Sequence, residues 1–253
     1  MTAAASSSPR AKSSVDPAEV ARFAAMSEAW WDPHGQFRPL HRLNPVRLRF
    51  IRDRMCRRFG RDSERSRPLS GLKLLDIGCG GGLIAEPMTR LGADVVGIDA
   101  AERNIGTARL HAEESGLTID YRHATAEDLA SAGEAFDIVL ALEIVEHVAD
   151  LGVFLAAASA LVKPGGALVL ATLNRTAKAF VLAIAGAEYV LGWLPRGTHD
   201  WRKFVRPSEL ERNLRRHGLT TTEISGVCYR LLTDDWTLCR DVSVNYMALA
   251  ERS

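Results

Sequence analysis

The sequence has few cysteines and no apolar run long enough to span a membrane, and each absence excludes a class of protein. The 253 residues include only Cys56, Cys79, Cys228 and Cys239. These four lie far apart and lack the C-x-x-C spacing of a zinc ribbon or the density of a disulfide framework. We therefore expect reduced thiols in a cytosolic compartment. No window of about 20 apolar residues is present, which argues against a transmembrane helix.

A strong excess of charge of either sign is also missing. Lys and Arg number 32 and Asp and Glu number 31, a net charge of +1. This balance argues against a protein built to coat nucleic acid, and we expect no nucleic-acid partner. The composition is 47% hydrophobic and 25% charged, as in an ordinary globular protein. A chain of this length can bury a full α/β core.

The N-terminal quarter of the chain predicts helices in front of a separate domain. Residues 1–15 are small and polar, without the apolar stretch of a secretory signal, and we expect them to be disordered. Asp16 followed by Pro17 predicts the start of a helix that reaches about Trp31. A second helix is expected over 45–59, within an arginine-rich segment.

These boundaries predict two parts after the disordered start. We expect residues 16–68 to form a helical lid and residues 69–253 to form one domain. Within that domain, residues about 174–204 are expected to be an insertion for substrate or membrane contact.

Apolar runs alternate with helix-length stretches from residue 71 onward. The runs are the candidate strands 72–77, 93–98, 117–121, 136–142 and 166–172. The stretches between them are the candidate helices 83–91, 101–115 and 151–162. This alternation predicts an α/β fold, with a parallel sheet covered by helices on both faces. A helix over 207–217 follows, and strands over 219–228 and 241–249 are expected to pair as an antiparallel hairpin at the sheet edge.

An acid and a glycine loop follow the first candidate strand. The segment LLDIGCGGGL carries Asp76 at the strand end and then Gly78, Gly80 and Gly82. Glycine permits a tight turn and lets a ligand approach the backbone closely. The acid suits a ligand with an ammonium group, whereas it would repel the pyrophosphate of a dinucleotide. A dinucleotide pattern, Gly80-x-Gly82-x-x-Ala85, and a plain tight turn remain as alternatives.

The next two strand ends predict the rest of a nucleoside site. Asp99 ends the second strand, where an acid can accept both ribose hydroxyls of an adenosine ligand. The same acid can cap the following helix, and the two roles are compatible. Ala126 and Glu127 follow the third strand, where the adenine edge would lie. For Glu127, a first-turn acid of a helix is the alternative.

Together, Asp76-x-Gly78-x-Gly80-x-Gly82, Asp99 and the turn Lys163-Pro-Gly-Gly166 resemble the class I S-adenosylmethionine-dependent methyltransferases. The resemblance covers about residues 71–173. It implies a Rossmann-like, seven-stranded sheet whose last strand is antiparallel. It also implies that Asp76 and Gly78 face the methionine moiety of the cofactor and that Asp99 faces its ribose.

Two carboxylates and an imidazole follow the fourth candidate strand, at Glu143, Glu146 and His147. If a helical turn starts there, the i, i+3, i+4 spacing places all three on one face. Such a set could hold Mg²⁺, with waters and substrate oxygens completing its shell. A metal-held phenol hydroxyl has a lowered pKa. Alternatively, the acids and the histidine serve the cofactor or the turn.

Further segments are similar to the ubiquinone biosynthesis O-methyltransferase family, from about Val15 to Met247. They are LNP-V-R, LLDIGCGGG, EIVEH, LVKPGG, TLNR, GAEY, GTHDW and DV-VNYM. The resemblance implies methyl transfer from S-adenosylmethionine to ring hydroxyls of 2-polyprenyl-6-hydroxyphenol and 3-demethylubiquinol, with S-adenosylhomocysteine as the product.

The same resemblance implies roles for individual residues. The implied contacts to S-adenosylmethionine are Arg47, Gly78, Asp99 and Leu142. Some relatives carry Met or Ser at the position of Leu142, which a backbone contact would tolerate. The implied ligands of Mg²⁺ are Glu143, Glu146 and His147. The general base is not identified, and His147 and His199 are the candidates.

A lipid-like acceptor would bring the protein to a membrane. The apolar stretch near 179–194 and the arginine-rich stretch 42–58 could together hold it against an anionic bilayer. A hydrophobic helix packed on the sheet is the alternative. We expect peripheral attachment to the cytoplasmic face of the inner membrane, or to the matrix face of a mitochondrion in a eukaryote. Other proteins of ubiquinone biosynthesis are possible partners.

Three other functions were weighed. A nucleic-acid methyltransferase would often carry Asn/Asp-Pro-Pro-Tyr or Pro-Cys after the fourth strand, and neither occurs. A quinone-ring C-methyltransferase, or another small-molecule methyltransferase, would not need the Glu/Glu/His set. A non-catalytic S-adenosylmethionine-binding or lipid-carrier module is the alternative outside enzymes, and the same three residues speak against it.

Overall fold

The expected alternation of strands and helices is present in the computed structural model, which describes residues 13–182, 200–230, 233 and 235–253. The described strands are β1 Lys73–Ile77, β2 Asp94–Asp99, β3 Asp120–His123, β4 Phe136–Leu142, β5 Val162–Leu173, β6 Thr220–Arg230, β7 Asp235–Cys239 and β8 Asn245–Glu251. The described helices are α1 Pro17–Ala25, α2 Arg38–Arg58, α3 Ala85–Arg90, α4 Glu102–Glu114, α5 Ala126–Ser131, α6 Leu151–Ala160, α7 Ala177–Ala179 and α8 Pro207–Arg216.

The strands form one mixed sheet in the order β3-β2-β1-β4-β5-β8-β6-β7. Strands β1 to β5 are parallel, and β8 is antiparallel to both β5 and β6. The α/β class and the antiparallel last strand are thus confirmed. The expected number of seven strands is wrong, because the sheet of the described residues has eight, with β7 added beside β6. The expected edge hairpin is wrong in its position, because β8 lies inside the sheet. The edge is occupied by β7, which pairs only with β6 and carries no clear apolar alternation that would have revealed it.

Side chains on both faces of the sheet are buried, as expected for parallel strands between helices. Leu74 and Val169 pack into one apolar cluster, together with Phe50 of α2. Their neighbours Leu75 and Leu168 point to the opposite face and pack with residues of α6 and α8. The fold therefore rests on two cores separated by one sheet, and its carboxyl-end edge stays free for a ligand.

The N-terminal helices differ in length from those expected. Asp16 caps α1 by accepting a 3.0 Å hydrogen bond from the Ala18 amide, as its pattern predicted. The helix ends at Ala25, however, and a 3-10 turn follows before Trp30. Helix α2 begins at Arg38, well before Pro45, which lies inside it. A proline in the first turn, Pro39, provides the earlier start.

The cysteines differ from the expectation of four free thiols. Cys228 and Cys239 are joined in a disulfide, whereas Cys56 and Cys79 are free and buried. In the β6–β7 register, Cys228 lies opposite Thr237, which places Cys239 diagonally across from it. The Cα atoms of the two cysteines are 6.1 Å apart, which is within the range that a disulfide spans. The pairing was missed because β7 itself was not predicted.

Part of the expected insertion at 174–204 lies outside the described residues. That part, 183–199, includes His199, so the candidate base in the GTHDW segment has no described position. Residues 1–12 are likewise outside, but Ser14, at the end of the expected disordered start, is buried. Across the ranges that are described, no helix is both long and apolar enough to cross a membrane.

Candidate functional site

A cavity of about 720 Å³ opens along the carboxyl ends of the parallel strands. This position is where open α/β sheets bind ligands, because the loops after β1, β2 and β4 diverge there. Its walls bring together nearly all the residues singled out in the sequence. They are Arg47, Asp76, Gly78, Asp99, Ala126, Glu127, Leu142, Glu143, Glu146 and His147. Gly80 is not part of the wall, and its amide instead supports Asp99.

Asp76 is the most unusual acid in the cavity. Its side chain lies at the end of β1 and is only 3% exposed. Burial, and then the nearby charge of Asp99, raise the pKa of Asp76 to about 7, while the guanidinium of Arg47 opposes the shift. An ionised carboxylate at this depth needs a cation beside it. The site therefore favours a ligand that carries an ammonium group.

Asp99 is held rigidly at the end of β2. One carboxylate oxygen accepts a 3.0 Å hydrogen bond from the Gly80 amide. The other accepts from the Ala101 amide at 2.8 Å and from the Asn104 side chain at 3.2 Å. Burial raises the pKa of this acid despite these donors. The expected capping of α4 by Asp99 is wrong, because the N-cap of that helix is Ala101, which has no side-chain cap. The contact with the Ala101 amide instead closes the turn before the helix and leaves the acid on the cavity wall.

Asn104 connects Asp99 to the lid. Its amide oxygen accepts a buried 3.0 Å hydrogen bond from the indole Nε1 of Trp30. The Trp30 ring stacks on Phe37 at 3.8 Å between centroids and covers the glycine loop. A Cβ built on Gly80, whose φ is +53°, would lie 2.4 Å from that ring. Part of the glycine requirement in the loop thus comes from the lid rather than from a ligand.

The neighbouring Trp31 holds the same loop from a second direction. Its indole Nε1 donates a 2.8 Å hydrogen bond to the Gly81 carbonyl. Its ring stacks on His111 of α4 at 3.4 Å. His111 in turn lies 2.5 Å from the buried carboxylate of Glu86. The two tryptophans therefore clamp the lid onto the loop after β1.

Residues before α1 form a strap over the end of the cavity where adenine was expected. The Ser14 amide donates a 2.7 Å hydrogen bond to Glu127, and its carbonyl accepts one of 2.7 Å from Ala149. Asp16 pairs with Lys203 at 2.9 Å. Ala126 and Glu127 follow β3 and line the cavity, and Glu127 also fastens the strap. Nothing in the sequence pattern indicates this second role.

The Glu143, Glu146 and His147 side chains lie near one another but do not point to a common centre. Their backbone forms a turn rather than the helical turn on which the spacing argument depended. Glu143 pairs with Arg47 at 2.8 Å, and His147 lies 3.1 Å from Glu19 of α1. No group of three or more His, Cys, Asp or Glu side chains in the described ranges is arranged to hold a metal ion.

Glu146 nevertheless has properties that fit a metal ligand or a proton acceptor. It is buried, and its Oε2 accepts a 2.8 Å hydrogen bond from Thr172. Its Oε1 is buried without a hydrogen-bond partner among the described residues. Burial and the adjacent charge of Glu143 raise the pKa of Glu146 to about 7. Either a divalent cation or a proton would satisfy this oxygen.

Glu143 owes its position to an unusual backbone. Its φ of +52° makes it the one non-glycine residue with positive φ in the described part of the chain. Such a conformation is costly and is found where the surrounding structure enforces it, often at functional sites. Here it turns the carboxylate toward the buried Arg47, which also faces Asp76. Arg47 thus lies between Asp76 and the expected metal ligands.

Comparison with known proteins agrees with this geometry. A methyltransferase-domain family model matches residues 46–224. A ubiquinone biosynthesis O-methyltransferase from Parvibaculum lavamentivorans is 58% identical over 243 residues, covering 96% of each chain. The protein of the same name from Sinorhizobium fredii is 57% identical over 242 residues, covering 96% of this chain and 98% of that one. The chain belongs to the ubiquinone biosynthesis O-methyltransferase family.

Solved structures agree on the fold of this O-methyltransferase family member. The magnesium protoporphyrin IX methyltransferase from Synechocystis PCC 6803 with bound SAH has a TM-score of 0.60 at 19% identity, covering 92% of this chain and 94% of that one. The PH0226 protein from Pyrococcus horikoshii OT3 has a TM-score of 0.62 at 14% identity, covering 92% and 99%. The protein is an S-adenosylmethionine-dependent methyltransferase with a Rossmann-like sheet.

Asn104 provides a test of the link between the lid and the cofactor site. We expect Asn104→Ala to weaken binding of S-adenosylhomocysteine roughly tenfold, because both Trp30 and Asp99 lose a buried hydrogen-bond partner. Calorimetric titration measures the affinity. Asn213→Ala on α8 is the matched control, since that side chain bonds only the Glu209 carbonyl at 2.8 Å. Equal affinities for wild type and Asn104→Ala would contradict the link.

Proposed function

We propose that this O-methyltransferase acts on ring hydroxyls of 2-polyprenyl-6-hydroxyphenol and 3-demethylubiquinol. The observation that carries the proposal is the cavity, which has two halves. One half contains a buried acid that needs a cation beside it, and the other half is apolar. The first half suits S-adenosylmethionine, and the second suits a greasy aromatic acceptor. The relatives at 57–58% identity are named ubiquinone biosynthesis O-methyltransferases, which supports O-methylation of a ubiquinone precursor. Their description as O-methyltransferases disfavours the C-methyltransferase and the non-catalytic module.

S-adenosylmethionine supplies an activated methyl group, and the acceptor oxygen displaces the sulfur in line to release S-adenosylhomocysteine. The protein's contribution is to hold the two reactants in that geometry. Asp76 holds the ammonium group and Asp99 the ribose hydroxyls, while Trp30 and the strap at Ser14 cover the nucleoside. Arg47 fixes the direction of Glu143 beside the acceptor.

The acceptor oxygen must lose a proton, and two described residues that line the cavity, Glu146 and His147, carry groups that can accept one. Glu146 has a buried, unpaired oxygen and a pKa of about 7, close to the value that suits a general base. His147 was one of two candidates from the sequence, with His199, and its Nδ1 faces Glu19. The unpaired oxygen supports Glu146 as a further candidate in the case that it does not hold a metal ion.

We also propose that Glu143, Glu146 and His147 hold Mg²⁺. Two oxygen donors and an imidazole are a suitable donor set, and the unpaired Oε1 of Glu146 supports a cation at this point. Binding would compete with the contacts of Glu143 to Arg47 and of His147 to Glu19. When bound, Mg²⁺ would supply positive charge that favours the ionised form of the phenol.

A methyl-transfer assay tests the acceptor and the metal together. We expect transfer of labelled methyl from S-adenosylmethionine to a short-tailed catechol quinol analogue, loss of turnover in chelator, and recovery with Mg²⁺. Glu146→Gln should lower turnover on the order of 10- to 100-fold, because it removes one anionic ligand. Glu223→Gln, on the far strand β6, is the control and should leave turnover within about twofold of wild type.

The two parts of this proposal fail in different ways. Full turnover of the wild type in chelator would contradict the proposed Mg²⁺ site. If Glu146→Gln is nevertheless inactive under that condition, Glu146 is the proton acceptor. Absence of transfer to any catechol quinol in the presence of Mg²⁺ would contradict the acceptor class itself.

We further propose that the protein attaches peripherally to an anionic membrane surface, on the cytoplasmic side of the inner membrane. Phe180, Val181 and Leu182 are consecutive, and they are 48%, 56% and 50% exposed. Such a run of exposed apolar side chains suits insertion at a bilayer interface. The arginine-rich helix α2 contributes less than expected, since Arg54 and Arg58 pair with Glu223 and Glu251.

Vesicle sedimentation tests the membrane proposal. We expect binding to vesicles that contain anionic lipid, reduced by salt, because apolar burial and charge act jointly. Val181→Asp should weaken binding about tenfold, since it removes apolar area and adds a repelled charge. Leu110→Asp is the control, because Leu110 is 59% exposed on α4. Equal binding of wild type to neutral and anionic vesicles would contradict the proposed contribution of charge attraction to membrane binding.

A further inference from the structure

The order of strands makes the cavity a linear site with two different halves. The residues placed at the cofactor lie over β2, β1 and β4, and the cavity continues over β5, β8, β6 and β7. Adjacent strands lie about 4.8 Å apart, so the cavity extends roughly 14 Å beyond β4 to reach β6. This second half, which we term the acceptor arm, is lined by Leu173, Val227, Tyr229, Trp236 and Val244.

The sheet register aligns the floor of the acceptor arm. Leu173 of β5 lies opposite Asn245 of β8, and Asn245 lies opposite Val227 of β6. On the next pair of strands, Tyr229 lies opposite Trp236, and their ring centroids are 5.3 Å apart. The arm therefore passes from the end of β5 to an aromatic pair on the β6–β7 hairpin.

The arm is apolar, in contrast to the acidic cofactor half. Two charged side chains that line it, Lys178 and Asp241, pair with each other at 2.5 Å. Its wall also includes Leu182, part of the exposed apolar run after α7. An apolar channel that reaches an exposed apolar edge suits a hydrocarbon chain that enters from a lipid phase.

One polar atom in the arm has no partner. The side-chain Oδ1 of Asn245 is buried and accepts no hydrogen bond from any described residue. Asn245 lines the cavity at the junction between the cofactor half and the apolar walls. A buried acceptor left without a donor is costly, so this atom marks a place where a ligand hydroxyl would be held.

From this arrangement we propose that the acceptor arm binds the substrate as a two-part ligand. Asn245 accepts a hydrogen bond from a ring hydroxyl that is not being methylated, and Val227, Tyr229 and Trp236 enclose the first isoprene units of the tail. The inference rests on the proposed polyprenylated acceptor. It adds the specificity residues for the tail and a positioning residue for the ring.

A series of quinol analogues with zero, one, two and three isoprene units tests the tail contact. For wild type we expect KM to fall as the tail lengthens. Trp236→Ala should raise KM for the tailed analogues roughly tenfold, because truncating this half-buried aromatic wall removes its packing with the tail. The same variant should leave KM for the tailless analogue and kcat within about twofold. Trp236→Leu, which keeps an apolar wall, should recover part of the loss.

Asn245→Ala is the second variant of the test. We expect it to raise KM by a similar factor for every analogue, tailless included, since its contact is to the ring. Affinity for S-adenosylhomocysteine and the thermal midpoint check that each variant is folded. An equal rise of KM for tailed and tailless analogues in Trp236→Ala would overturn the tail assignment, and an unchanged KM in Asn245→Ala would overturn the ring contact.

Binding measured without turnover separates this inference from the proposed function. Calorimetric titration of the tailed analogue into protein saturated with S-adenosylhomocysteine should show tight binding for wild type and weak binding for Trp236→Ala. If that difference appears without methyl transfer, the arm is a binding site and the proposed reaction fails. If wild type binds tailed and tailless analogues equally, the acceptor-arm proposal fails whatever the reaction.

Discussion

The site depends on a buried carboxyl group, Asp76, whose ionisation costs free energy unless a cation lies beside it. Asp76 lies at the end of β1, nearly inaccessible to solvent, beside a second acid at the end of β2. Burial of an acid in this way costs free energy unless a cation or a proton compensates it. Arg47 compensates in part but is shared with Glu143. A ligand ammonium group would complete the balance, which supports the proposed role of Asp76 in binding the cofactor.

The lid also acts on these two acids. It contacts the glycine loop that lies between Asp76 and Asp99 and so fixes their positions. Trp30 reaches Asp99 through Asn104, and Gly80 reaches Asp99 through its amide. The glycine loop is therefore packed from the lid side as well as open to a ligand. The strap at Ser14 contacts Glu127 at one end of the cavity, and the acceptor arm lies at the opposite end.

The sequence predicted most of the residues that line the half of the cavity containing Asp76, because their signals are local. A strand end, an acid and a glycine turn are contiguous at Asp76, and the fold class follows from apolar periodicity. Asn104, Asn245 and the β7 strand were missed, since their roles depend on register and on contacts between distant segments. The Glu143 turn was also beyond reach, because a left-handed non-glycine residue carries no signal in the pattern.

The pH dependence of cofactor-product binding tests the role of Asp76 most directly. The unliganded pKa near 7 exceeds that of a free carboxyl, and an ammonium partner lowers it, so binding must release a proton. Calorimetry with S-adenosylhomocysteine should show affinity rising between about pH 5.5 and 7.5, by up to about tenfold per pH unit, with proton release. Asp76→Asn should abolish the rise, whereas Asp94→Asn should keep it. A wild-type affinity that does not change with pH would contradict the role of Asp76.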